Sequence, residues 1–166
     1  MTARPTDGRR EVVLSSKQGV IIRFSEDEVR PMGRVAAGVR GIELEDSDEV
    51  ISAEVVLEGS AILTVTERGY GKQTPLEEYR LQGRAGKGII DIKTGGRNGN
   101  VVGAVQARAG DDILVVTTNG KIIRIHAADV SSQGRNTLGV RVIDLDPDDR
   151  VGSVARVEAE QTERES

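Results

Sequence analysis

The residues of this chain best suited to chemistry are arginines that recur at fixed intervals. Arg34, Arg84 and Arg135 each follow a glycine, and the pairs Gly33-Arg34, Gly83-Arg84 and Gly134-Arg135 are separated by 50 and 51 residues. Other cations keep the same register: Arg30 with Arg80, Arg40 with Arg141, and Arg23 with Arg124, with Lys72 beside that last position and Lys87 just after Arg84. A guanidinium is permanently charged and presents a planar fork of N–H donors that suits phosphate oxygens. Cations at regular spacing on a curved surface are what a duplex polyanion requires, because each neutralised phosphate releases condensed counterions. Flanking glycines let backbone N–H groups approach as well. Contacts of this kind position a nucleic acid without reading its bases. With only Phe24, Tyr70 and Tyr79 as aromatics and no tryptophan, a single-strand stacking surface is disfavoured. For any one arginine the ordinary alternative is a surface ion pair worth about 0–1 kcal/mol. The threefold repetition in register favours phosphate.

Other chemistries find no support. His126 is the only histidine and there is no cysteine, so no transition-metal set can be completed. Asp144-Leu145-Asp146-Pro147-Asp148 imitates the start of a calcium loop, but Asp149 and Ala155 stand where glycine and glutamate belong. Gly86-Lys87 is not a phosphate-binding loop, since Leu81 replaces its first glycine and Gly88 its serine or threonine. No metal and no cofactor is expected.

The elements that must carry these cations also repeat. Turns ending at Gly19, Gly69 and Gly120 lead into short β-branched runs, and Gly38-Val39, Gly88-Ile89 and Gly139-Val140 follow each Gly-Arg pair. Such runs, bounded by Gly, Asn, Asp or Ser, are strands, and Thr118-Asn119-Gly120 is a strong hairpin signal between strands at 113–117 and 121–125. Two further strands per repeat fall at 39–44 and 50–55, 89–93 and 101–105, and 140–145 and 151–157. The chain therefore reads as all-β, with a disordered leader at 1–10, repeats at 11–59, 60–110 and 111–157, and an acidic disordered tail at 158–166. Propellers need about four to eight blades to close, so on periodicity alone a three-repeat β-trefoil binding protein or carbohydrate competes with propeller-like blades.

The net charge of −4 conceals an uneven distribution. Residues 68–97 hold seven basic residues against three acids, and residues 121–141 hold four against one, whereas the acids cluster at 43–49 and 144–149. Neither a membrane span nor a signal peptide is visible, and the absence of cysteine is compatible with a reducing compartment.

A more specific signal lies in Gly69-Tyr70-Gly71-Lys72-Gln73-Thr74-Pro75-Leu76-Glu77-Glu78-Tyr79-Arg80, followed by Gln82-Gly83-Arg84-Ala85-Gly86-Lys87-Gly88. With Arg97-Asn98-Gly99-Asn100-Val101-Val102-Gly103-Ala104-Val105-Gln106 and Gly134-Arg135-Asn136-Thr137-Leu138-Gly139-Val140-Arg141, it closely resembles the C-terminal domain of the DNA gyrase A protein and its topoisomerase IV relative. The resemblance implies a β-pinwheel, a propeller-like ring whose blades exchange a strand with their neighbours and whose basic rim wraps double-stranded DNA. It implies about three four-stranded blades, the second half of a six-bladed ring, and a non-catalytic part of an ATP-dependent type IIA topoisomerase. The family marks its first blade with the box Gln-Arg-Arg-Gly-Gly-Lys-Gly; here Gln82 to Gly88 departs from it at Gly83 and Ala85, so that first blade is expected to be absent. Nothing resembles the cleavage machinery, and Tyr70 and Tyr79 fall in blade turns. Implied partners are DNA, the rest of the gyrase A protein and the gyrase B protein, in the bacterial cytoplasm at the nucleoid. Open blade edges further raise a head-to-tail homodimer.

Overall fold

A computed structural model describes residues 3–159. In chain order the strands are β1 (Glu11–Ser16), β2 (Val20–Ser25), β3 (Val50–Val55), β4 (Ala61–Thr66), β5 (Tyr70–Pro75), β6 (Ile89–Ile90), β7 (Val101–Ala107), β8 (Asp112–Thr117), β9 (Ile122–His126), β10 (Val140–Arg141) and β11 (Val151–Val157). Among the described residues helix is confined to single 3-10 turns at Glu26–Glu28, Leu76–Glu78 and Ala127–Asp129, each directly after the second strand of a hairpin. Among the described residues no helix is long and apolar enough to cross a membrane.

Each repeat opens with a hairpin, and its turn needs a residue in the left-handed region. Gly19, Gly69 and Gly120 hold φ of +86°, +78° and +84°, values that would strain any residue with a Cβ. The hairpin's first strand then pairs antiparallel with the repeat's last strand, β1 with β3, β4 with β7 and β8 with β11. The fourth strand is not supplied by the same repeat. β6, from the second repeat, adds to β2, and β10, from the third, adds to β5. The sheets therefore run β3-β1-β2-β6, β10-β5-β4-β7 and β11-β8-β9. This exchange between neighbours is the arrangement of pinwheel blades and not of a trefoil's hairpin cap.

The exchange also explains where the strand expectations differ from the structure. Segment 39–44 forms no strand, because among the described residues no preceding sheet is present for it to join. Its counterparts shorten to two residues each in β6 and β10. Between sheets, β3 packs on β7 and β7 on β11. Leu63, Val65, Ile113, Val115, Ile143 and Val151 form the core of the second joint, and Val13, Ile21, Ile62, Leu76 and Tyr79 that of the first. The leader forms no helix or strand over residues 3–10, although Arg4 pairs with Glu54 at 3.2 Å. The acidic tail lies outside the described residues apart from Glu158 and Ala159.

Candidate nucleic-acid interface

The loop carrying each Gly-Arg pair follows a 3-10 turn, and in two repeats the preceding sheet grips it. Arg23 Nη1 donates to the carbonyls of Leu76 and Tyr79, both at 3.1 Å. One repeat later Gln73 Nε2 donates to the carbonyls of Ala127 and, at 3.0 Å, Val130. Backbone bonds repeat this clasp, from Gln82 N–H to Arg23 O and from Gln133 N–H to Gln73 O, each 2.8 Å. Arg23 also pairs with Glu11 and is part-buried, so its charge is neutralised inside the joint. The loop around Gly33-Arg34 has no such clasp among the described residues, and Val35 is 100% exposed.

The Gly-Arg arginines reach back across the joints. Arg84 donates through Nε to Glu28 O at 2.9 Å and through Nη1 to Arg40 O, and Arg135 Nη1 donates to Ile90 O at 3.2 Å. Arg40 and Ile90 occupy equivalent positions, so the same staple is used twice. Carbonyl acceptors orient a guanidinium without cancelling its charge. Neither arginine has a carboxylate ion-pair partner among the described residues, and Arg135 Nε has no acceptor there at all. Arg30, Arg34, Arg40, Arg80 and Lys87 are exposed and likewise without ion pairs among the described residues. Arg124 is exposed but bonded to Asp112, and this bond, with His126 assisting and burial opposing, holds the Asp112 carboxyl below the usual carboxylate range. Arg141 is exposed, 3.9 Å from Asp144.

Lys72 does not reach the surface. It is 0% exposed. Its Nζ lies 3.3 Å from Asp91 Oδ1 and donates to the carbonyls of Asp91 and Gly134 at 2.6 and 2.8 Å. The Asp91 carboxylate accepts the Tyr79 hydroxyl at 2.6 Å and the Thr64 hydroxyl at 2.7 Å. Burial pushes the Lys72 pKa down and that of Tyr79 up, Asp91 opposing the first shift and reinforcing the second. The network ties β4, β5 and the strand-exchange segment to the glycine before Arg135. Lys72 therefore positions a cationic loop and is not itself open to a phosphate, a correction to its place among the surface cations.

A second cationic group joins Arg141 to residues outside the repeated register. Arg97 and Arg141 both lie over the Tyr70 ring, 5.5 and 5.8 Å from its centre, and Arg68 lines the same hollow as Arg141. Hydrogen bonding from Arg97, then Arg141, holds the Tyr70 hydroxyl below the ordinary phenol range. The only hint in the sequence is the Gly95-Gly96-Arg97-Asn98-Gly99 loop, which carries the extra residue of the middle repeat.

The family model for the DNA gyrase C-terminal domain, beta-propeller, matches residues 10–57, 61–108 and 111–158. The chain belongs to this family. The DNA gyrase A protein of Haloquadratum walsbyi is 46% identical over 151 residues, covering 90% of this chain and 18% of that protein. Its Kosmotoga olearia counterpart is 47% identical over 92% of this chain and 19% of its own length. The chain thus spans about a fifth of the length of these curated relatives. Among solved structures, the C-terminal domain of DNA topoisomerase IV superposes with a TM-score of 0.88 at 32% identity, over 93% of this chain and 49% of the other. The DNA gyrase A C-terminal domain gives 0.85 at 31% identity, over 91% and 52%. Against the gyrase C-terminal box, Ala85 stands in place of glycine and holds φ of +66°. The glycine usual there has a conformational reason.

Proposed function

We propose that this chain is a non-catalytic module that binds and wraps duplex DNA for a type IIA topoisomerase of the gyrase kind, supporting ATP-dependent negative supercoiling by the intact enzyme. The observation that carries the reading is the set of cations that lack carboxylate partners among the described residues and recur on equivalent loops: Arg30 and Arg80, Arg34, Arg84 and Arg135, with Arg40 and Lys87 beside them. Arg68 and Arg97 extend the set at the second joint, beside Arg141, which has Asp144 at 3.9 Å. Lys72 and Arg23 are excluded by burial and pairing, and Arg124 contributes less because Asp112 partly neutralises it. Loops fixed by clasps present their charges at constant geometry, which suits a bent duplex whose phosphates are met without base readout.

Both tyrosines are occupied elsewhere, which supports a role without strand cleavage. Tyr79 is buried with its hydroxyl on Asp91, and Tyr70 is 8% exposed beneath Arg97 and Arg141. DNA cleavage and ATP binding then reside in other parts of the holoenzyme, the remainder of the gyrase A protein and the gyrase B protein, in the cytoplasm at the nucleoid. A sugar-binding alternative would need exposed aromatics, and here the tyrosines and Phe24 are covered.

Binding of plain duplex DNA at several salt concentrations tests the proposal. Three or four phosphate contacts give a log–log slope of about −3 to −4. Substituting Arg34, Arg84 and Arg135 together by glutamine is expected to flatten that slope. Undetectable binding at low salt would overturn it.

A further inference from the structure

The second joint gathers charges that its own closure does not require. Both joints close by the same backbone bonds: Asp91 and Ile92 donate to Gly19 O at 2.9 and 3.3 Å, and Val142 and Ile143 to Gly69 O at 2.9 and 3.2 Å. Around those bonds the side chains differ. Gln18, Val20 and Ile90 at the first joint stand where Arg68, Tyr70 and Arg141 stand at the second, and in each joint the second and third of these positions are paired across the exchanged strand. The hollow at the first joint is lined by Glu43, Glu45 and Asp48 with Lys87 and Lys93. The one at the second is lined by Arg68, Arg141 and Arg150 with Asp146 and Asp149, and Arg97 Nε donates to the Tyr70 hydroxyl beside it at 3.4 Å. Since the first joint closes without these cations, the second holds them for something other than its own packing.

The guanidiniums are fixed in place without being neutralised. Tyr70 is 8% exposed, a rigid base beneath Arg97 and Arg141, and contact with a ring face attracts a guanidinium while leaving its charge intact. The loop that carries Arg97 is anchored on both sides. Asn98, 0% exposed, donates through Nδ2 to the carbonyls of Lys93 and Leu138 at 2.7 and 3.2 Å. Asn100 N–H donates to Glu67 Oε2 at 2.9 Å, and Arg68 N–H donates to Asn98 O at 3.1 Å. The nearby carboxylates are committed elsewhere or distant. Asp146 pairs with Lys121, and Asp149 accepts through Oδ1 from the Thr118 hydroxyl and the Asn119 and Arg150 N–H groups, its other oxygen being buried. Asp144 lies 3.9 Å from Arg141. Arg68, Arg97 and Arg150 have no ion-pair partner among the described residues, and the Tyr70 hydroxyl proton has no acceptor there.

We propose that this hollow is a binding site for one phosphate group, to which Arg68, Arg97 and Arg141 donate and to which the Tyr70 hydroxyl gives its free proton. The planar fork of a guanidinium matches phosphate oxygens. At about 200 Å³ the hollow is smaller than the roughly 300–1,000 Å³ of sites that enclose a drug-sized ligand, so it suits a single tetrahedral anion. Its four arginines all belong to the second and third repeats, so the site is complete within the described residues. The source of the phosphate rests on the function proposed above: it is one phosphodiester of a duplex that crosses the Gly-Arg loops. Those loops repeat, whereas this hollow has no cationic counterpart at the first joint, so it gives the wrapped duplex one fixed point.

Inorganic phosphate and duplex DNA are the probes that test it. Neighbouring guanidiniums hold the Tyr70 hydroxyl below the ordinary phenol range and burial raises Tyr79, so phenolate absorbance on an alkaline titration reports Tyr70 first. Bound phosphate offsets the guanidiniums. The titration is therefore expected to move to higher pH in phosphate than in chloride of equal ionic strength, and to coincide in the two salts for Arg97→Gln with Arg141→Gln. Calorimetry with phosphate is expected to show one site, weakened about tenfold by Arg68→Gln or Tyr70→Phe and unchanged when Arg34, Arg84 and Arg135 are replaced by glutamine, each variant keeping its circular dichroism spectrum. With duplex DNA, replacing Arg68, Arg97 and Arg141 together by glutamine is expected to reduce the salt slope by about one. A Tyr70 titration that is the same in phosphate and chloride overturns the site, as does phosphate binding that is lost with the Gly-Arg arginines. A salt slope unchanged by the three substitutions overturns the duplex as the source and leaves the free anion as the ligand. Phosphate binding by a chain that binds no duplex would overturn the DNA reading and leave the site standing, so the two fail separately.

Discussion

Replacing Lys72 by methionine separates the two roles open to a lysine in a basic repeat. Methionine fills a similar volume without charge, so the cost arises from what the ammonium leaves behind. Asp91 keeps its bonds from Tyr79 and Thr64 but loses the cation 3.3 Å away. The carbonyls of Asp91 and Gly134 lose donors at 2.6 and 2.8 Å. Removing one partner of a buried pair costs about 3–5 kcal/mol, a large share of the roughly 5–15 kcal/mol that holds a domain folded. An exposed phosphate-binding lysine would cost almost nothing. Asp91→Asn in the same chain removes the stranded charge and keeps hydrogen-bonding capacity for Tyr79 and Thr64. The double variant is therefore expected to be milder than the sum of the singles by at least about 1 kcal/mol. Urea unfolding followed by circular dichroism measures all three variants. A Lys72→Met cost below about 1 kcal/mol, or a double variant no milder than additive, would refute the buried-network reasoning. A DNA-binding salt slope reduced by about one unit in folded Lys72→Met would return this lysine to the contact surface.

The same network predicts the alkaline limit of stability. Lys72, with its folded pKa lowered, contributes stability that rises with pH below the ordinary lysine value; Tyr79, with its folded pKa raised, contributes stability that is lost once the unfolded chain ionises above the ordinary 10.0. The raised Tyr79 pKa predicts thermal midpoints that fall above pH 10, and the fall should be smaller in Tyr79→Phe. At the acid end, Asp149 is buried, which works against its charge, but bonds from Thr117, Asn119, Thr118 and Arg150 hold its pKa at about 2. Its contribution is present above the ordinary 3.8 and is lost as pH falls toward 2, and acid titration of Asp149→Asn should lack that limb. Ala85→Gly, relieving a left-handed alanine, is expected to stabilise by about 0.5–1 kcal/mol, and a lowered melting temperature would contradict it.

Much of the fold was legible because the repeat is written in turn chemistry. Val50–Val55 and Val151–Val157 occur as strands with the bounds read from sequence, and the hairpin glycines occupy the left-handed region their position required. The fourth strand of each blade was harder to place. Segments 39–44, 89–93 and 140–145 look alike in sequence, and what they become depends on whether a neighbouring sheet offers an edge. Burial of Lys72 was hidden for a related reason: in the register of cations it is simply one more positive charge. A signal did exist in Asp91, a lone acid between Ile90 and Ile92 in an otherwise basic stretch. An acid between two β-branched apolar residues asks for a buried partner.

The clasp position shows why register alone does not assign a role. Arg23, Gln73 and Arg124 are equivalent in the repeat, and the first two perform one task, donating to the carbonyls of the first residue and the C-cap of the next blade's 3-10 turn. Gln73 does so without charge, so the task requires a long side chain with an N–H group and not a cation. A positive charge at this position is therefore no indication of DNA contact, even though it repeats. The Gly-Arg position differs. Arg84 and Arg135 also donate to carbonyls across a joint, but their charges meet no ion-pairing carboxylate among the described residues, and Arg34 stands outside any clasp. What separates a structural cation from one available to phosphate in this architecture is the partner it has already met, and that is set by the neighbouring blade.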